Sequence, residues 1–299
     1  MKPYPAVKGQ VEDFLAWCQG RGLSPKTWRD AYGYPLRAVL LPFCERQGIE
    51  DLTDLDRRAI DRLAAELYQR EPPLSRASVK SYLKSVNQLM AWWEQESGER
   101  QARAQLPRLK KKPREVLSRA ELDDLEAAAP NERDKLIIRI MGDVGAREGE
   151  VANLRVGDLV ARERTYFLRL RGKTGERMAP ISPALYRRLK HYADKGRPRG
   201  ARSDRLFLSL RRQGDDYPQL TLGGVYQVVR DAALLARFER SVFPHLLRHS
   251  AITHLVGQGM QPVAVCEIVG CSLAVVMEVY SHLNDEQRWQ AFMRAMETQ

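Results

Sequence analysis

Apolar positions along the first hundred residues recur at helical spacing. Val11, Phe14, Leu15 and Cys18 fall on one face of a first helix. Ser24-Pro25 supplies a cap residue and a first-turn proline, which predicts a long second helical segment running to about Gly48. Thr53 or Asp54 is expected to start a third helix that ends near Gln69. Ser75 or Ser78 is expected to start a fourth, which aligns Val79, Leu83, Val86, Leu89, Met90 and Trp93 and stops at Gly98.

The pattern then becomes mixed. Ser118 and Glu121 have capping-box spacing ahead of a helix. Helices are expected near Arg133–Gly145 and from about Arg147 to Leu154. Thr165–Arg171 and Arg177–Ile181 read as strands, joined by the turn Gly172-Lys173-Thr174-Gly175-Glu176. Further helices are expected from Pro183 and over Leu222–Phe238, Pro244–Gly257, Pro262–Val269 and Leu273–Tyr280. Trp289, Phe292, Met293 and Met296 make one apolar face of a short tail helix. No repeat of solenoid period is visible. The fold class expected is mainly α with a small β-sheet.

Composition adds a partner class. The 299 residues favour two domains, and 43% hydrophobic with 29% charged residues suits a globular core. A net charge of +11 makes a polyanion the leading partner, nucleic acid ahead of an anionic membrane, although charge alone also fits an ordinary basic protein. From 101 to 114 the chain carries Arg103, Arg108, Lys110, Lys111, Lys112 and Arg114, two prolines and no acid. A solvated connector would look like this, and so would a basic linker lying along DNA phosphates. The expected organisation is a helical domain over 5–99, a basic linker over 100–114, and a mixed domain over 115–299 with its tail helix at about 285–299.

No apolar run is long enough to span a bilayer, and Met1-Lys2-Pro3-Tyr4-Pro5 lacks the core of a signal peptide, so a cytoplasmic, nucleoid-associated protein is expected. Cys18, Cys44, Cys266 and Cys271 show no CxxC pair, and free thiols in a reducing compartment fit them. His245 and His249 have the i, i+4 spacing of a metal helix, but Leu246 stands where that motif needs its glutamate. No metal site is expected.

Breaking a DNA phosphodiester without a metal requires cations on the non-bridging oxygens, a nucleophile, a base for its proton and an acid for the leaving oxygen. Arginine suits the first task because its planar fork donates two hydrogen bonds and stays charged. The sequence offers such a set in order: Arg147 with Glu150 on the next turn, Lys173 at the hairpin tip, His245 and Arg248 three apart, and Tyr280. Each has a plainer reading. Arg147 and Glu150 fit a surface pair, Lys173 an exposed turn, His245 a helix-start residue, Arg248 a surface arginine and Tyr280 a core aromatic. His249 reads as structural support. Their joint occurrence on a basic two-domain chain favours chemistry.

The boxes GAREGEVANL, RGKTGER, HLLRH and VGCSLAVVMEVYSH resemble those of the tyrosine recombinase, or phage integrase, family. Residues 11–98, with LSPKTWRDAYGYPLR and LSRASVKSYLKSVNQLMAWW, look like its helical core-binding domain, so the likeness covers nearly the whole chain. Any one box is weak; all of them in order are specific. The resemblance implies a SAM-like core-binding domain and a mixed α/β catalytic domain closing as a C-shaped clamp on DNA. It implies that Arg147 and Arg248 clamp the scissile phosphate, and that Lys173 protonates the leaving 5′-hydroxyl. His245 would take the tyrosine proton, Tyr280 would attack to form a 3′-phosphotyrosine, and Glu150 would orient the basic groups. It implies no cofactor, no ATP, double-stranded DNA with paired sites, and a tetramer on DNA that exchanges the tail helix in trans. With little before the helical domain, the chain is similar to the compact Xer-like type.

One position departs from the pattern. Where the family has histidine, or sometimes tryptophan, after the glycine of the last box, this chain has Cys271 after Gly270. A thiol is a weak donor, and with an ordinary pKa of about 8.5 it risks adding negative charge beside an anion. Cys271 also reads as a small buried hydrophobe. Three other readings stay open at this stage: a catalytically weakened DNA-binding regulator, which Cys271 favours; a topoisomerase-like enzyme that reseals the same strand; and, less well, a hydrolytic nuclease, which the lack of clustered carboxylates opposes.

Overall fold

A computed structural model of the chain describes residues 6–109, 115–172 and 175–281, and 289, 293 and 296 in the tail. The described residues are mainly helical and hold one three-stranded sheet. The chain divides into two compact units, Met1–Pro113 and Arg114–Gln299.

In the first unit, α1 (Val7–Gly20) is followed by wide i→i+5 helical turns over Lys26–Gly33 and Leu36–Leu40, which run into α2 (Leu41–Gln47). Pro35 and Pro42 lack the N–H that a regular helix needs, and the wide turns lie beside them. Gly48, at φ 64°, closes the segment where the sequence placed its end. The third helix starts later than expected. Thr53 and Asp54 lie in one tight turn, Leu52–Asp54, capped by Asp51. Helix α3 (Arg57–Gln69) begins where Asp56 Oδ1 accepts from the Ala59 N–H at 2.7 Å. Ser75 rather than Ser78 caps α4 (Arg76–Ser97), accepting from the Ser78 N–H at 3.0 Å.

The core of this unit buries Phe14, Leu36, Leu40, Phe43, Ile60, Leu63, Leu83 and Leu89. Ala104 is buried with it, and Asn87 on α4 bonds the Ala104 backbone in both directions, at 2.7 and 3.0 Å. The first residues of the expected linker therefore pack on the helices. Lys110, Lys111, Lys112 and Arg114 lie outside the described residues.

The second unit begins with α5 (Arg119–Ala128), whose Ser118–Glu121 capping box forms as the spacing predicted. Then come α6 (Glu132–Val144), α7 (Glu148–Asn153), β1 (Leu159–Arg162), β2 (Thr165–Gly172) and β3 (Gly175–Pro180). The sheet is antiparallel in the order β1-β2-β3. Strand β1, four residues long and half-exposed, was not expected. Next are α8 (Pro183–His191), α9 (Leu222–Leu235), α10 (Pro244–Gly257), α11 (Pro262–Val269) and α12 (Leu273–Tyr280). Helix α9 stops short of Phe238 because the chain turns at Arg237, which has φ 57°.

One core joins α5 to α9, the sheet and the start of α10. A smaller one, of Ile252, Val256, Val265, Val269, Val276 and Val279, fixes α11 and α12 on the far part of α10. In the tail, Trp289, Met293 and Met296 are helical, and Trp289 and Met296 are exposed.

Candidate active site

Two helix ends meet at the site. Helix α6 ends at Gly145 and α11 at Gly270, both left-handed, at φ 62° and 69°. They pack so closely that a Cβ on Gly145 would lie 2.9 Å from Val269 Cγ1. The last carbonyls of a helix lack intrahelical partners and carry partial negative charge, so such a junction attracts cations.

Three arginines from separate elements occupy it. Arg248, on α10, donates from Nη1 to the Gly145 carbonyl and to that of Val269 at 2.8 Å, and from Nη2 to that of Gly270 at 3.0 Å. Arg147, at the start of α7, also donates to the Gly270 carbonyl. Arg177, on β3, donates to the Ile268 carbonyl.

One carboxylate lies among them. Glu150 Oε1 accepts from Arg147 Nη1 at 2.8 Å, and Oε2 accepts from the Arg147 backbone N–H at 2.8 Å and from Arg177 Nη2 at 2.9 Å. Its side chain is only 2% exposed, against 36% for Arg147 and 11% for Arg177. Arg248 is 6% exposed. The Arg147–Glu150 pair thus forms, but not as an ordinary surface pair, and Arg248 is no surface arginine.

Electrostatics follow from this packing. Burial alone would raise the Glu150 pKa, but the Arg147 N–H and the Arg177 and Arg147 charges hold the carboxyl below its ordinary value. Burial pushes Arg248 down to about 10, helped by the neighbouring Arg147 and Arg177. Arg177 is lowered by burial and by Arg147, against the pull of Glu150. Three cations around one anion leave an excess of positive charge, which suits a phosphate.

Cys271 follows directly on Gly270 and is half-buried. Burial and Cys266 push its thiol above the ordinary value, despite Arg248 and Arg147. The thiol is therefore neutral at pH 7, and the extra negative charge foreseen at this position does not arise. His245 is exposed in the first turn of α10, and His249 is half-buried one turn on. Tyr280 ends α12, half-buried against the smaller core on the helix pair α10 and α11. Lys173 lies outside the described residues.

The structure thus brings together Arg147, Glu150, Arg248 and the Gly270–Cys271 turn. It adds Arg177, by sequence pattern an ordinary strand residue. A signal was present. Side chains alternate faces along a strand, and Arg177 is two residues from the fully buried Ala179 and opposite the buried Leu170. The arginine therefore points inward.

The phage integrase family model matches residues 115–287. The tyrosine recombinase XerC of Oceanobacillus iheyensis is 25% identical over 268 residues, covering 86% of each chain. Among solved structures, XerH site-specific recombinase bound to palindromic difH substrate, in a post-cleavage complex, matches with TM-score 0.74 at 19% identity over 97% of both chains. A lambda integrase tetramer bound to a Holliday junction matches with TM-score 0.66 at 17% identity, over 89% of this chain and 77% of the other. The chain belongs to the phage integrase family, as a tyrosine recombinase of the Xer-like type, and its activity is site-specific DNA recombination.

Proposed function

We propose that Arg147 and Arg248 hold the scissile phosphate and that Tyr280 attacks it. One observation carries this reading: both arginines, from separate helices, donate to the same Gly270 carbonyl oxygen. Two guanidinium groups that reach one oxygen are spaced to share a phosphate. The Tyr280 hydroxyl bonds to phosphorus, and the P–O5′ bond breaks. Its electron pair goes to the 5′-oxygen, which takes a proton from Lys173. The tyrosine proton goes to His245, with His249 in support. Energy is conserved in the phosphotyrosine, so a second strand's 5′-hydroxyl reverses the step without ATP.

Substrate and assembly follow from the same reading. The partner is double-stranded DNA with paired sites, since the likenesses include recombinases on DNA. The helical domain over 5–99 and the catalytic domain over 115–299 both bind it, and Lys110, Lys111, Lys112 and Arg114 lie along its phosphates. Like the lambda integrase tetramer on its junction, the protein assembles as four copies, and the helix at 285–299 is exchanged between them. The exposed Trp289 and Met296 support that last step, because an apolar helical face gains by covering. Deleting 285–299 is expected to weaken cooperative assembly more than single-site binding; an unaffected tetramer would show that no exchange occurs through this segment.

The test is covalent capture. A nicked suicide duplex is expected to trap the wild-type chain and not Tyr280→Phe. Two distinct sites in one reaction are expected to give exchanged products. Resealing without exchange would favour a topoisomerase-like activity, and binding without capture a regulator.

A further inference from the structure

One guanidinium of the cluster is not used by the phosphate clamp. Arg177 is far less exposed than Arg147, at 11% against 36%, so it sits behind the open side of the site. From β3 it reaches two other elements at once, Glu150 on α7 and the Ile268 carbonyl at the end of α11. It also lies directly on the Gly270 backbone, where a Cβ would meet its Nε at 2.7 Å and its Cδ at 2.8 Å. That Nε is buried and has no protein partner among the described residues. The other strand of the hairpin closes on the same carboxylate, since a Cβ on Gly172 would lie 3.0 Å from Glu150 Oε1.

A buried arginine with one orphaned N–H is costly to keep as mere filling. Its contacts, however, bear on the two groups that aim Arg147: it bonds the Glu150 carboxylate directly, and it holds the α11 end at Ile268 and packs on Gly270, whose carbonyl takes Arg147. We infer that Arg177 is a positioning residue for DNA cleavage: it ties the hairpin, Glu150 and the end of α11 into one frame and so sets where Arg147 points. The inference rests on the proposed roles of Arg147 and Tyr280. Arg177 touches no reacting atom. It acts through Glu150, whose charged neighbours are Arg147 at the start of α7, Arg177 on β3 and Arg248 on α10, with the Cys271 thiol close to the last two.

The consequence is a specific pH signature. With Arg177 gone, burial is opposed by fewer cations, and Glu150 takes up a proton at milder acidity. A protonated Glu150 holds Arg147 poorly, and small misplacements of a clamp cost up to about 100-fold in rate.

The probe is a nicked duplex carrying the site that the wild-type chain selects from random-sequence DNA by covalent capture. Single-turnover cleavage is followed from pH 5 to 8, alongside the melting midpoint of each full-length variant. Arg177→Met is expected to cleave about tenfold slower than the wild type at pH 7.5 and to fall a further tenfold or more behind it toward pH 5, the rates being compared as a ratio at each pH so that the histidine base common to both cancels. Arg177→Lys keeps the charge and is expected to restore the wild-type profile at a reduced rate. In Glu150→Gln, adding Arg177→Met is expected to bring no new acid dependence. A purely structural role would slow cleavage equally at every pH. Arg177→Met with the wild-type profile, Arg177→Lys with the same acid loss, or acid loss that persists without Glu150 would each overturn the inference. Tyr280→Phe is the separate control: if it is still captured, the reading of Tyr280 fails whatever Arg177 does.

Discussion

The Glu150 carboxylate on α7 and the Arg177 guanidinium on β3 meet at 2.9 Å, both nearly closed to solvent. Buried pairs of this kind contribute little against an apolar alternative, but losing one partner is costly because it strands the other charge. Here it would strand three, since Arg147, Arg177 and Arg248 surround the one carboxylate. Glu150→Gln is therefore expected to destabilise the catalytic unit by about 3–5 kcal/mol and to slow capture of the suicide duplex by up to about 100-fold, a rate still measurable in single turnover. Thermal unfolding of the full chain checks the first part. An unchanged midpoint would mean that the helix-end carbonyls alone hold the arginines.

The same carboxylate sets an acid limit. Its folded pKa lies below its ordinary value of 4.5. A depressed carboxylate contributes stability that is present above the unfolded pKa and lost as pH falls through the folded one. The stability gap between wild type and Glu150→Gln is thus expected to be constant from pH 7 to about 5 and to narrow below about 4.5. Denaturant midpoints of both proteins across pH 3–7 measure it. A gap that persists unchanged at pH 3 would show that Glu150 acts by shape rather than by charge.

Gly270 offers a comparison between two glycines of similar backbone. Gly98 closes α4 at φ 73° with open space around a would-be Cβ, whereas Gly270 at φ 69° has the Arg177 side chain there. Gly98→Ala should carry only the left-handed penalty, about 1–2 kcal/mol. Gly270→Ala should cost more, because Arg177 and the adjacent Arg147 must shift, and cleavage should fall with it. Equal stability losses in the two variants, with cleavage intact, would mean that the arginines yield freely.

Local patterns announced much of this fold. The Ser118–Glu121 box and the glycines at 48 and 98 set helix limits through neighbours a few residues away, so spacing alone revealed them, while at the start of α4 it left Ser75 and Ser78 both open. Helix α3 escaped by a few residues because two caps follow one another, Asp51 on the tight turn Leu52–Asp54 and Asp56 on α3 itself, and residue pattern does not separate the short turn from the helix. The ordered motifs pointed to Arg147, Glu150 and Arg248. Arg177 stayed hidden because a charged residue beside a turn reads as solvated, and its partners on α7 and α11 are remote in sequence. The burial of Glu150 was equally silent, since a carboxylate three residues after an arginine reads as a surface pair.

Cys271 is where the chemistry leaves most room for improvement. It stands next to Gly270, whose carbonyl both clamp arginines share. Its raised pKa keeps it neutral there, so it does not repel a phosphate, but a thiol still donates a poor hydrogen bond. An imidazole donates a strong one, and a well-placed donor to a developing oxyanion contributes roughly 3 kcal/mol, about 100-fold in rate. The site is half-open, so a larger ring can turn toward solvent without invading the core. Cys271→His is expected to cleave the suicide duplex at the wild-type rate or up to about 100-fold faster, and Cys271→Ala at close to the wild-type rate. Single-turnover rates on one substrate settle the order. A large loss in both variants would show that the thiol has a role of its own, one that neither a better donor nor a plain methyl can fill.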